Sequence, residues 1–65
     1  MTKAEQKQVD KATVHGRGAL LRTLAVIHRA GSSRTQREVI AMLEQAHALN
    51  EFETVNGALL HRSEV

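Results

Sequence analysis

The chain has 65 residues, no cysteine and a net charge of +2. Because 42% of its residues are hydrophobic, its composition is that of a folded domain and not of a disordered chain. The length allows at most one small domain, taken as residues 1–65, and the lack of cysteine excludes disulfides and thiolate metal sites. No apolar run reaches the roughly 18 residues of a membrane span, and the N-terminus lacks the hydrophobic stretch of a signal peptide. We therefore expect a cytoplasmic protein with no membrane contact.

The clearest predicted element is a long N-terminal amphipathic helix. It begins near Lys3, where Thr2 is the N-cap and Glu5 has the spacing of its capping-box partner. Its apolar face continues to Ala30, and Gly31 suits the left-handed position that follows a helix. The sequence thus predicts one rod over the first half of the chain.

Two glycines lie inside this predicted helix. Gly16 and Gly18 each cost about 1 kcal/mol relative to alanine in a helix interior. We expect one unbroken helix, because the hydrophobic periodicity passes through both glycines in phase. The alternative is a kink or break within residues 15–18.

The apolar face of this helix is built around small side chains that would let another helix approach closely. A helix of about 28 residues is about 42 Å long, so a shorter second helix could not cover all of it. We expect a second copy to cover the rest as a homodimer, or a larger protein partner to do so. The predicted seam consists of Val9, Ala12, Gly16, Ala19, Leu20, Thr23, Leu24 and Ile27.

A second stripe of the same helix is basic. It consists of Lys7, Lys11, Arg22 and Arg29. Such a stripe can be an ordinary solvated face, or it can steer an acidic partner toward the helix.

Two further helices are predicted, which makes the fold class all-α in a helical-hairpin or three-helix arrangement. After a short turn at 32–34, Thr35 and Glu38 form a capping-box pattern that begins a second helix antiparallel to the first. Asn50 is the predicted N-cap of a short third helix, followed by a frayed tail at 63–65. The side chains predicted to point inward from this helix are Phe52, Val55, Leu59 and Leu60.

No residue pattern points to catalysis. The four histidines include no pair at the spacing of three or four that a helical zinc site needs. Ser32 and Ser33 fit a turn better than a nucleophile, and Asp10 is the single aspartate. We therefore predict no enzyme activity, no catalytic residue, no metal and no cofactor.

The function predicted first is a non-enzymatic, helical protein-binding module, such as a small regulator, inhibitor or assembly factor. The alternative is a dimeric DNA-binding transcriptional regulator. Residues 35–39 (TQREV) resemble the opening of the first helix of helix-turn-helix proteins, and residues 54–59 (TVNGAL) resemble a recognition helix of the winged type. Because the basic residues cluster on the first helix instead, nucleic-acid binding takes second place.

Overall fold

A computed structural model describes residues 1–64. Three helices come first, α1 (Lys3–Val14), α2 (Arg17–Ala30) and α3 (Ser33–Gln45). A hairpin of β1 (Phe52–Val55) and β2 (Ala58–His61) follows, flanked by 3-10 turns at Leu49–Glu51 and Arg62–Glu64. The described chain is thus mostly helical, which supports the all-α class in outline, with a small two-stranded sheet added to the helices. Val65 of the predicted tail lies outside the described residues.

The predicted long helix is two helices. α1 ends at Val14, and Gly16 takes a φ of 100°, which no residue inside a right-handed helix adopts. Glycine reaches this conformation without the steric cost that a Cβ would add. Gly18 lies inside the first turn of α2 and does not interrupt the helix. The prediction of one unbroken helix is therefore wrong, and the break falls within residues 15–18, the alternative location.

The predicted start of α1 is confirmed. Thr2 Oγ1 accepts from the backbone N–H of Glu5 at 3.1 Å, and Glu5 Oε1 accepts from the backbone N–H of Thr2 at 2.8 Å. The bond from the Thr2 amide holds the pKa of Glu5 below its usual value. Glu5 also accepts from the buried hydroxyl of Thr35 at 3.1 Å, so the cap ties α1 to α3.

The α2–α3 connection contains only Gly31 and Ser32. α2 ends at Ala30 as predicted, but Gly31 has a φ of −87°, so the predicted left-handed conformation is wrong. Glycine is needed here for space, because a Cβ would lie 2.8 Å from the carbonyl oxygen of Ile27 and 2.7 Å from Thr35 Cγ2. The connection is tight because α3 begins directly against the last turn of α2.

α3 begins two residues earlier than the predicted Thr35. Ser32 is its N-cap and accepts from the backbone N–H of Thr35 at 3.2 Å. Glu38 faces Arg34 at 3.9 Å and does not close a capping box with Thr35. Serine at position 32 therefore supplies the cap that the prediction assigned to threonine.

α3 ends at Gln45 in a Schellman motif. His47 has a φ of 54°, and its N–H donates to the carbonyl of Glu44 at 3.0 Å. The N–H of Ala48 donates to the carbonyl of Leu43 at 2.8 Å. These are the two bonds that close this type of helix end, here with histidine where glycine is usual.

The predicted third helix is wrong, because its residues form the hairpin. Asn56 and Gly57 take φ values of 52° and 80°, the pattern of a two-residue type I′ turn. Phe52 pairs with His61 across the strands, and Val55 pairs with Ala58. The Asn-Gly dipeptide between two short apolar segments is the sequence signal for this hairpin.

One hydrophobic core joins all three helices and the hairpin. Leu24, Val39 and Leu43 are the largest fully buried side chains, and Phe52 and Leu59 extend the core beneath the hairpin. Of the other residues predicted to point inward from the third helix, Leu60 is half-buried and Val55 is exposed. Among the described residues, no helix combines the length and apolar character needed to cross a bilayer. The core cluster consists of Val9, Leu21, Leu24, Ile27, Val39, Leu43, Ala48, Phe52 and Leu59.

Candidate functional site

The break at Gly16 creates a groove between α1 and α2. Its floor carries the small side chains Ala12, Ala19 and Thr23, and Val26 stands at its edge with 58% of its surface exposed. The open volume of about 640 Å³ is large enough for several side chains of a bound molecule. Three of the predicted seam residues thus lie together on one accessible surface.

The groove is basic as well as apolar. Lys11 of α1, Arg22 of α2 and the exposed His15 line it, together with Gln8. No aspartate or glutamate is among the described residues that line it. The groove therefore offers apolar contacts in its floor and positive charge at its walls.

The predicted basic stripe divides into two pairs. Lys11 and Arg22 line the groove, whereas Lys7 and Arg29 are exposed but lie outside its lining. None of the four forms an ion pair within residues 1–64. The division provides matched sets of residues, equal in charge and different in position.

The other predicted seam residues are used inside the chain. Val9, Leu24 and Ile27 belong to the hydrophobic core, and Leu20 is half-buried against it. Gly16 lies exposed in the turn between α1 and α2. Because the chain folds back on itself, its own helices cover much of the surface for which the sequence suggested a second copy.

A charged cluster joins the hairpin to α2, and no pattern in the sequence predicts it. Arg17 at the start of α2 binds both carboxylate oxygens of Glu51, and His61 Nε2 lies 3.1 Å from Glu51 Oε1. The hydrogen bond from Arg17, and after it the one from His61, lowers the pKa of Glu51 to about 2. The His61 ring also packs edge-on to Phe52, with centroids 5.2 Å apart.

Ser63, His61 and Glu51 form a hydrogen-bonded chain. Ser63 Oγ lies 2.8 Å from His61 Nδ1, but Nδ1 also accepts from the backbone N–H of Ser63 at 3.2 Å. Since Ser63 lies only two residues after His61, we interpret this contact as local support of the 3-10 turn that follows β2. The chain of contacts holds the hairpin in place beside Arg17.

The described part of the chain contains no group of three or more histidine, aspartate or glutamate side chains placed to hold a metal ion. The segment resembling a recognition helix, residues 54–59, spans the hairpin turn, so that element of the DNA-binding alternative is wrong. The groove between α1 and α2 therefore remains the main candidate site. Comparisons of this chain with protein-family models, with curated proteins and with solved structures find no match.

Proposed function

We propose that this protein is a small, non-enzymatic binding module whose α1–α2 groove receives an acidic, amphipathic helix of a protein partner. One observation carries the proposal: apolar floor residues and two cationic walls share a groove whose described lining contains no acidic residue. An amphipathic helix presents apolar side chains along one stripe and charged ones beside it. Such a helix would match both features of the groove.

The geometry of the groove supports a helix more than a small ligand. The groove is open and bounded by two helices, and its floor carries the small side chains of Ala12, Ala19 and Thr23. Small side chains permit close approach of a third helix, whose larger apolar residues would fill the space between them. Val26 would gain apolar contact that the chain alone does not give it.

Charge favours a different protein over a second copy of this chain. A two-fold contact through the groove would place Lys11 and Arg22 of each copy close to those of the other. Like charges brought together at an interface oppose association, whereas glutamates on a partner would face them favourably. The predicted homodimer is thus the second occupant to test.

A titration with designed peptides tests the proposal. The probe is a fluorescent helical peptide with leucines on one face and glutamates beside it, and its partner peptide has every glutamate replaced by lysine. We expect the acidic peptide to bind and the basic one to bind about fivefold to tenfold more weakly, because two rim charges contribute about 1 kcal/mol or somewhat more together. Fluorescence anisotropy at fixed ionic strength measures both affinities.

A charge swap provides the matched control. The double variant K11E/R22E should lose the acidic peptide and gain the basic one, whereas K7E/R29E makes the same change of charge outside the groove and should do neither. Equal effects of the two variants would show a nonspecific charge effect and contradict the proposal. Analytical ultracentrifugation of the unmodified chain decides between an acidic partner and a second copy.

DNA binding by a dimeric regulator stays the alternative prediction. Binding to DNA should weaken steeply with salt, because each phosphate contact releases a counterion. Failure of the unmodified protein to bind DNA even at low salt would exclude it.

A further inference from the structure

The turn of the hairpin presents the peptide bond between Asn56 and Gly57 to solvent. Both residues are exposed, with φ values of 52° and 80°, in the two-residue connection between β1 and β2. Apart from Gly57 and its two chain neighbours, no heavy atom lies within 4 Å of the position that a Cβ on Gly57 would take. Water and hydroxide can therefore reach this peptide bond without any movement of the fold.

The backbone nitrogen of Gly57 is free to act as a nucleophile. Within residues 1–64 its N–H donates to no backbone acceptor, since the strand pairing ends at Val55 and Ala58 on either side of the turn. Glycine also has no Cβ to hinder the approach of its nitrogen to the side chain of the residue before it. That residue is Asn56, whose carboxamide carbon can be attacked by an amide nitrogen.

We propose that Asn56 is a site of non-enzymatic deamidation, with water as the co-reactant. The Gly57 nitrogen gives its proton to hydroxide and attacks Cγ of Asn56, and the new C–N bond closes a succinimide ring. The carboxamide nitrogen takes up a proton from water and leaves as ammonia. Water then opens the ring, giving aspartate where the bond from Cγ to nitrogen breaks and isoaspartate where the original backbone bond breaks. The net reaction converts an amide and water into a carboxylic acid and ammonia, with no change of oxidation state.

The chain contains one other asparagine, and the structure holds it in a conformation that opposes this reaction. Asn50 is also exposed, but it precedes Glu51 in a 3-10 turn, and the N–H of Glu51 donates to the carbonyl of Ala48 at 3.0 Å. The carbonyl of Asn50 accepts from Arg62 Nε at 2.8 Å, which holds the same peptide bond in place. The engaged amide and the side chain of Glu51 both hinder ring closure, so Asn50 is an internal control.

The two products should affect the hairpin differently. Aspartate followed by glycine also suits a type I′ turn, so the aspartate product keeps the connection. Isoaspartate adds one carbon atom to the backbone of the turn, and a two-residue connection fixes the strand register too tightly to accept it unchanged. Because Phe52 and Leu59 of these strands lie in the core, the isoaspartate product should be less stable than the unreacted chain. The stability of the hairpin would then depend on the age of the molecule.

Incubation of the folded chain in mildly alkaline buffer, followed by peptide mapping, tests the site. A protease that cleaves after glutamate separates the two asparagines, because Glu51 and Glu53 lie between them. We expect the fragment with Asn56 to gain the mass of an amide-to-acid conversion, with ammonia released in equal amount, while the fragment with Asn50 stays unchanged. Conversion of both asparagines at the same rate, or of neither, would overturn the proposal.

The variant Asn56→Asp is the matched standard. It should release no ammonia and should coelute with the aspartate product on ion exchange, where both differ from the starting chain by the loss of one unit from its net charge of +2. The isolated isoaspartate product should have a lower urea midpoint than this variant. Equal midpoints would contradict the effect assigned to the lengthened turn.

A parallel incubation in guanidinium chloride shows whether the folded turn reacts by itself. Conversion of Asn56 in the folded chain as well as in denaturant supports the proposal, whereas conversion confined to the denatured chain would overturn it. The inference does not rest on the α1–α2 groove, because neither Asn56 nor Gly57 lines it. Loss of peptide binding and loss of deamidation would therefore be separate results.

Discussion

Lys11 and Arg22 lie on different helices, yet both line the one groove between α1 and α2. In a continuous helix they would be separated along a single rod, whereas the turn at Gly16 brings their helices against each other. Both cationic side chains therefore lie beside Ala12 and Ala19 and form walls of the groove, instead of a stripe along one helix. The turn is therefore the feature on which the proposed binding site depends.

Replacement of the two nearby glycines by alanine should have opposite effects on stability. Gly16→Ala should destabilise the protein by about 1–2 kcal/mol, because alanine at a φ of 100° is strained. Gly18→Ala should stabilise it by about 0.5–1 kcal/mol, since Gly18 is helical and an added Cβ would meet only the end of Arg22 at 3.5 Å. Urea denaturation measures both. Stabilisation by both substitutions would indicate a continuous helix.

Gly57→Ala distinguishes the hairpin from the helix that the sequence predicted. In the hairpin, Gly57 has a φ of 80°, so alanine should cost about 1 kcal/mol of stability. In a helix the same substitution would stabilise by a similar amount. The sign of the change in the urea midpoint gives the answer, and a gain in stability would refute the hairpin.

Filling the groove should block binding without unfolding the protein. Ala19 is half-buried in the groove, and a leucine side chain at this position would fill the space into which the partner helix would pack. We expect Ala19→Leu to weaken binding of the acidic peptide about tenfold or more, while its stability stays within about 0.5 kcal/mol of the unmodified chain. Val14→Leu is the control, because Val14 is 83% exposed and is not among the groove residues. Equal binding by both variants would exclude the groove.

The Glu51 cluster should make stability depend on pH in the acid range. Its pKa is about 2 in the folded chain, so the unfolded chain, with an ordinary glutamate pKa near 4.3, takes up the proton first as the pH falls. The stabilisation is complete above about pH 4.5 and is lost between there and about pH 2. Urea denaturation across this range should show a smaller loss for Glu51→Gln than for the unmodified chain. Identical slopes would contradict the role assigned to Arg17 and His61.

The sequence predicted those elements whose signals are local. The capping box of Thr2 and Glu5 and the end of α2 at Ala30 were both correct, because cap residues act within one helical turn. Val9, Leu24 and Ile27 lie on the apolar face of the predicted helix, and the structure buries them in the core of the chain itself. Whether they face their own chain or another one is decided by tertiary structure.

Two errors arose where one residue type supports two conformations. Gly16 falls in phase with the hydrophobic periodicity, which is equally compatible with one helix and with two that pack on each other. The Asn56–Gly57 pair lies inside the predicted third helix, although an Asn-Gly pair is also the signal for the hairpin turn that the structure contains.

The candidate sites were predictable only in part. The sequence places Lys11 and Arg22 on the same basic stripe as Lys7 and Arg29, and only the turn at Gly16 separates the two pairs. That His28 Nδ1 has no hydrogen-bond partner among the described residues could not be predicted, because hydrogen bonding depends on which side chains the fold brings near. Helical periodicity carries no information about such contacts between distant segments.

Chemical-shift mapping with the acidic helical peptide shows directly whether the α1–α2 groove binds a helix. Nitrogen-15 spectra of the chain, recorded with increasing peptide, locate the surface that the peptide contacts. We expect the largest changes at Ala12, Ala19, Thr23 and Val26, which line the groove on both helices. Changes confined to α3 or to the hairpin, with the groove residues unmoved, would contradict it.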